Sequence, residues 1–429
     1  MKSAARIDRD FALLFTVMLT IAAANTALQS VLPALGRSLK VADSAVAAAF
    51  SVSALLWVIA APFWAKRSDR HGRRAMILLG LGGLCVSLGV CGVFLVAGIN
   101  GWISGTAAFV CFILGRLIYG SLGSAAPPAV QALVAGNTTR AERTKALTLL
   151  GSAFGLGTIL GPTLAPFLRL GSIGGIKLEL AGPAFVFALF GLIVFVAVRQ
   201  LLPNDRVPQA DTHGAASAYP SIGGQSSGAS ITAATEPHSE HVRYTDRRIR
   251  GWMIAGLVSG HGQAMTGQAI GFLVIDRLRL APDEALQPTG IVLMIGAGAA
   301  LLVQWGIIPN LNLRPRRMML AGLVLAAAGC ALTGIATSLY TLACAYALAS
   351  VGFGFTRPAF TAGASLAVGH AAQGSVAGKV TSINGAAFVL GPSIGVGLYQ
   401  VQHSLPYLVA GAAMMALFGY AWVKLREPR

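Results

Sequence analysis

The residues that could do chemistry in this 429-residue chain stand almost alone inside long apolar runs. Arg116 interrupts one run and Arg357 another. A guanidinium keeps its charge in a protein, so each offers a fixed cation and five donors to an anion or polar solute. His261 is the one histidine deep in a run, and imidazole titrates near neutral pH. Asn25 and Gln29 lie one helical turn apart and so share a face. Tyr119, Met265 and Gln268 add a phenol, a deformable thioether and an amide. Such a set binds and orients a solute, and it pairs no nucleophile with a base. No HExxH, P-loop or nucleophile elbow occurs, and no carboxylate pair faces the interior of a run. The five cysteines (Cys85, Cys91, Cys111, Cys330 and Cys344) lack CxxC spacing and read as small buried hydrophobes. We expect no metal, no cofactor and no enzymatic activity.

The elements that position these residues follow from composition. Hydrophobic residues make up 55% of the chain and charged residues 11%, against about 25% charged in an ordinary soluble domain. So few charges cannot keep this much apolar surface in water, and lipid is the fitting solvent. Runs long enough to span a bilayer fall near 11–35, 45–65, 75–98, 104–134, 146–170 and 181–202. A second set falls near 251–275, 288–310, 317–337, 340–368, 379–401 and 404–424. Between the sets, 203–250 is rich in Ser, Gly, Ala, His and Pro without an apolar period, and reads as a flexible linker. The expected fold is an all-α membrane protein of twelve transmembrane helices in two pseudo-symmetric six-helix bundles, 1–202 and 251–429, joined by 203–250.

The net charge of +17 could suggest nucleic acid, but its basic residues cluster in the short connections. With the N-terminus in the cytoplasm, 24 of the 32 Lys and Arg fall in cytoplasmic segments and six in the opposite loops. That bias places both termini and the linker in the cytoplasm. Lys2, Arg6 and Arg9 before an apolar run mimic a signal peptide, yet the run reaches Leu35 and reads as a retained first span. The two sets also repeat. Gly161-Pro162 recurs as Gly391-Pro392, Pro127 as Pro358 and Arg73-Arg74 as Arg316-Arg317, at offsets of 230, 231 and 243. Six spans separate each copy from its partner, so the copies point the same way through the membrane, as in parallel-repeat transporters with a site near the midplane.

These features resemble the major facilitator superfamily over essentially the whole chain outside the linker. Asp69-Arg70-His71-Gly72-Arg73-Arg74 is similar to that family's D-R-x-G-R-[KR] signature between helices 2 and 3. Asp69 can accept bonds from a helix N-terminus, and Gly72 permits the turn into the third span. The resemblance implies that Asp69, Arg70, Gly72, Arg73 and Arg74 latch the halves on the cytoplasmic side. The second copy has Asn312 and Pro315 where Asp69 and Gly72 stand, which implies a weaker latch. Arg116 followed by Gly120 is similar to the family's helix-4 motif, with Tyr119 replacing the usual Gln. The resemblance gives Arg116 a part in proton coupling or anion binding. Gly157-x-x-x-Gly161-Pro162 resembles the helix-5 motif of drug–proton antiporters, although Ala165-Pro166 stands where that motif has paired glycines. It is associated with exporters.

By the same resemblance, helices 1, 4, 7 and 10 line a central cavity holding Asn25, Gln29, Arg116, Tyr119, His261, Met265, Gln268 and Arg357. Acidic residues are absent from the depths of the spans, with Asp43 and Asp276 at their edges. Arg116 and His261 are therefore the candidates for proton coupling, and an electropositive cavity suits neutral or anionic solutes. Gly157, Gly161, Pro162, Gly391 and Pro392 serve as hinges or close-packing sites. The expected function is a proton-coupled exporter of small organic molecules, working by alternating access as a monomer in the inner membrane. The alternatives are a proton-coupled importer on the same fold, a membrane enzyme, and a non-transporting sensor.

Overall fold

A backbone in lipid can satisfy its polar groups only within itself, so runs of this length become helices. The computed structural model contains twelve of them among the described residues. They are α1 (Lys2–Ser38), α2 (Asp43–His71), α3 (Arg73–Ile99), α4 (Gly105–Asn137), α5 (Arg140–Leu164) and α6 (Gly182–Leu201), then α7 (Arg250–Leu278), α8 (Leu286–Leu311), α9 (Pro315–Ile335), α10 (Leu339–Leu366), α11 (His370–Val401) and α12 (Leu405–Lys424). The structure describes residues 2–138, 140–204, 219–222, 240–311 and 313–426, without the side chains of residues 2–8, Asp69, Arg140, Ala141 and Thr144. Most of the expected linker, 203–250, therefore lies outside the described residues, as does Asn312.

Eleven of the twelve helices are long and apolar enough to cross a membrane. The other is α7, whose polar residues include His261, Gln263 and Gln268. Large apolar side chains such as Ile59, Leu114, Leu192 and Ile335 stand exposed on the outer faces. That distribution fits a lipid surround.

Two features modify the expected map. Leu170–Ile173 and Ile176–Glu179 (β1 and β2) form an antiparallel hairpin between α5 and α6, turning at Gly174 and Gly175. Helix α4 tightens into a 3₁₀ turn at Gly123–Ala125, just before Pro127 and Pro128 open its second segment. A proline has no N–H to continue the ladder, which accounts for a break there.

The first six helices pack together through α1 on α5 and α3 on α4 and α6; the last six through α7 on α11 and α9 on α10 and α12. Between the two groups, α2 packs on α11 and α5 on α8. Small residues allow the tightest approaches. A methyl group at Gly161 would run into the carbonyl oxygen of Ala23 on α1. In the second group, one at Gly391 would lie 2.5 Å from Cβ of Ala264 on α7. The repeated Gly-Pro pairs thus occupy matching close contacts, α5 against α1 and α11 against α7. Pro162 and Pro392 both lie inside unbroken helices.

The chain approaching α7 is docked on α11. The Glu240 N–H donates to Ala371 O (3.0 Å), the Val242 N–H to Ser375 Oγ (3.2 Å), and the Lys379 ammonium lies 5.2 Å from the Tyr244 ring. Arg248 pairs with Asp246 (2.9 Å) and Glu240 (2.8 Å), and its guanidinium holds the Asp246 carboxyl below the usual carboxylate range.

Candidate functional site

The middle of α1 carries Asn25 and Gln29, both buried and both turned toward other helices. Arg116 of α4 is fully buried beside Asn25, and its Nη2 donates to Asn25 Oδ1. The guanidinium carbon sits 5.1 Å from the ring of Phe50 on α2 and 4.7 Å from that of Tyr119. Tyr119 is held in turn by a bond from its hydroxyl to Ile21 O (3.3 Å). Aromatic faces attract a cation and partly replace the water that a buried guanidinium loses. Among the described residues no carboxylate pairs with it, and its Nε and Nη1 have no hydrogen-bond partner. A buried donor without an acceptor is unfavourable, so this position suits an incoming acceptor or anion.

One turn along α1, Gln29 Nε2 donates to Gln268 Oε1 of α7 (2.7 Å). This bond crosses between the two six-helix groups. The cluster is completed by residues that the sequence reading did not place there. The hydroxyl of Tyr219 accepts from Arg116 Nη2 (2.5 Å), with Asn25 Oδ1 and Ser53 Oγ also within reach (3.2 and 3.3 Å). Asn25 Nδ2 donates to Pro220 O (2.5 Å), and the Ile222 N–H donates to Gln29 Oε1 (2.9 Å). The available signal was faint: Tyr219 is the only Phe, Tyr or Trp between 203 and 243.

The structure thus brings together Asn25, Gln29, Arg116, Tyr119 and Gln268. The contacts described for the other expected cavity residues lie outside this cluster. Arg357 places its guanidinium 5.8 Å from the Phe388 ring of α11. His261 Nδ1 donates to Leu257 O of its own helix (2.7 Å). Met265 is buried, its carbonyl oxygen 2.6 Å from where a methyl group at Gly395 would lie.

A second polar cluster ties the groups together at the end away from the termini. Arg37, in the last turn of α1, donates to both oxygens of Asp276 near the end of α7, and also to Asp43 (2.8 and 3.1 Å). Tyr399 donates to Asp276 Oδ2 (2.5 Å), and His403 Nε2 lies 3.7 Å from the same oxygen. About two turns deeper along α2, Ser51 shares a hydrogen bond with Ser393 of α11 (2.8 Å), and nearer the cluster a methyl group at Gly271 would meet Pro33 Cγ at 2.8 Å. A hollow of about 720 Å³, lined by Asp276, Arg277, Arg279 and His403, opens beside this cluster.

At the opposite end, Gly72 adopts φ +92° between α2 and α3, a conformation that favours glycine. Arg73 Nη1 donates to Ala132 O (2.7 Å), Arg74 donates to Asn204 and to Arg199 O, and Arg70 is exposed. These named bonds join the first six helices to one another and to Asn204 just after them, and none reaches the last six. The side chain of Asp69 lies outside the described residues.

A family model for the Major Facilitator Superfamily matches residues 14–392. The chain belongs to the major facilitator superfamily. As a member of that superfamily it is a multi-pass membrane transporter and not an enzyme. This major facilitator chain is 26% identical to Multidrug resistance protein 2 of Bacillus subtilis over 391 residues, 88% of this chain and 84% of that one. It is 33% identical to the class B tetracycline resistance protein of Escherichia coli over 147 residues, 34% of this chain and 31% of that protein's length. Among solved structures, its fold is similar to the human organic anion transporter MFSD10 (TM-score 0.63, 20% identity, 96% and 99% of the two chains). It is also similar to the nucleoside transporter NupG (TM-score 0.68, 14% identity, 97% and 99%). At these identities the structures speak to the fold alone.

Proposed function

We propose that this protein exports small organic solutes across the inner membrane by alternating access, coupled to protons, with both termini in the cytoplasm and the 203–250 segment reaching the central cluster from that side. The observation that carries the reading is the pair of inter-half clusters at different depths. A buried polar centre is built from Asn25, Gln29, Arg116 and Gln268, while Arg37 and Asp276 tie the halves at the far end. The basic bias makes that far end the outer one. Export is supported by relatives named for multidrug and tetracycline resistance and by the Gly157–Pro162 motif.

In this reading Arg116 is the selectivity centre. Its buried charge with open donors favours neutral or anionic solutes and disfavours lipophilic cations. The proton would act at the outer cluster instead. Opening outward requires Arg37 and Asp276 to part. A proton taken up by Asp276 from the adjoining hollow would offset the separation, because Arg37 keeps Asp43, on its own half, as counter-ion. Tyr399 and His403 of the second half and Arg37 of the first face that carboxylate. Arg116 would couple to it only through the solute it holds.

Energised inverted membrane vesicles test direction and coupling together. Addition of an exported solute should dissipate the vesicle pH gradient and drive solute accumulation, and both effects should vanish in Arg116→Ala. Accumulation in right-side-out vesicles would instead establish the importer. Uptake of dye cations that depends on Arg116 would refute the charge preference.

A further inference from the structure

Tyr219, Ser221 and Ile222 are 2%, 2% and 7% exposed, although they belong to a segment rich in Ser, Gly and Ala with no apolar pattern to bury it. What they bury is chemically specific. The Tyr219 ring meets Trp57 edge-on (5.7 Å, 87°) and Tyr119 at 69° (6.0 Å), the arrangement aromatic rings prefer. Its hydroxyl takes the Arg116 bond, the Pro220 carbonyl takes the Asn25 amide, and the Ile222 N–H meets the Gln29 carbonyl. Ile222 then borders a remaining cavity of only about 20 Å³ between the two halves, with Thr158, Gln263 and Thr266. A phenol and a peptide unit thus fill the central site as a bound ligand would. The fit is also incomplete: Arg116 Nε and Nη1 and the Ser221 hydroxyl stay buried without hydrogen-bond partners. A solute with the same groups and further acceptor oxygens would satisfy donors that the chain's own segment leaves open.

We infer that Tyr219–Ile222 is a resident ligand of the transport site, displaced by a solute that carries an aromatic hydroxyl next to an amide. This rests on the proposed reading of the central cluster as the solute site. While the segment is seated, only the unseated fraction of molecules can bind solute, and apparent affinity falls by that fraction. A segment seated nine-tenths of the time weakens binding about tenfold.

Binding of N-acetyl-L-tyrosinamide to the purified full-length protein in nanodiscs, with N-acetyl-L-phenylalaninamide as the analogue lacking the hydroxyl, tests this. Tyr219→Ala should bind the tyrosine probe about tenfold more tightly than the unaltered protein. Tyr219→Phe, which keeps the ring and loses only the hydroxyl, should move the same way by less. In both variants the phenylalanine analogue should bind more weakly than the tyrosine probe, and Arg116→Gln should erase the difference. Unchanged probe affinity in both Tyr219 variants, or equal binding of the two probes, would overturn the inference. Solute flux in proteoliposomes of the same preparations keeps the two readings apart. A binding gain without outward flux removes the export reading and leaves the resident ligand standing, and flux without a binding gain does the reverse.

Discussion

Arg37 and Asp276 lie 239 residues apart and meet in a bidentate ion pair, and Gln29 and Gln268, also 239 apart, meet eight residues earlier. A constant offset over eight residues means that α1 and α7 run side by side in the same direction. That is the geometry of two like-oriented halves facing one another at equivalent helices. The glutamine pair sits beside the central cluster and the ion pair at the far end, so one helix pair links the two clusters.

Asp276→Asn removes one charge of the far-end pair while keeping its shape. The pair is partly exposed, so its loss should weaken the closed state by about 1–2 kcal/mol, between the values for surface and buried pairs. A thiol introduced at Ser51→Cys, beside Ser393, should then react roughly five- to thirty-fold faster with a membrane-impermeant reagent added from the far side. An unchanged rate would mean that the ion pair does not hold this end shut.

Gly271→Ala should act in the same direction by another route. The added methyl group meets Pro33 Cγ at 2.8 Å across the two halves and props them apart where they touch. The same labelling rate measures it. Slower labelling would indicate that Pro33 yields and the contact tightens.

Gly161→Val should lower stability by about 1–3 kcal/mol, because its side chain would be driven into the backbone of α1 at Ala23 and Ala27. The check is the temperature at which the detergent-solubilised protein loses its monodisperse peak. A substitution that blocks flux with stability intact would favour a pure hinge role for this glycine over close packing.

Arg116→Lys keeps the charge and loses the guanidinium, whose Nη2 meets both Asn25 and Tyr219 and whose Nε and Nη1 stay open to a solute. Apparent solute affinity should fall about tenfold, corresponding to roughly 1.4 kcal/mol for lost charge-assisted bonds, with protein yield maintained. The KM of flux in proteoliposomes is the readout. An unaltered KM would leave Arg116 without a direct part in binding.

Much of this architecture is legible in the sequence, because lipid imposes its constraints one helix at a time. Apolar length decides that a segment spans, and the parity between repeated motifs decides that the copies point the same way. The intramembrane Arg116, and Asn25 and Gln29 one turn apart on α1, also stood out, since polar groups are rare where they are unfavourable. The roles of Arg357, His261 and Met265 were less legible. Membership of a cavity-lining helix does not say which face of that helix a residue occupies.

What the chain order alone determined, then, is the number and approximate extent of the helices and the few polar residues among them. Only the tertiary structure decided which of those residues meet: Gln29 with Gln268, Arg37 with Asp276, and Tyr219 with Arg116. Each contact joins positions more than 100 residues apart. No local rule of periodicity or spacing reaches that far, and partners on separate helices are chosen by the packing of whole surfaces.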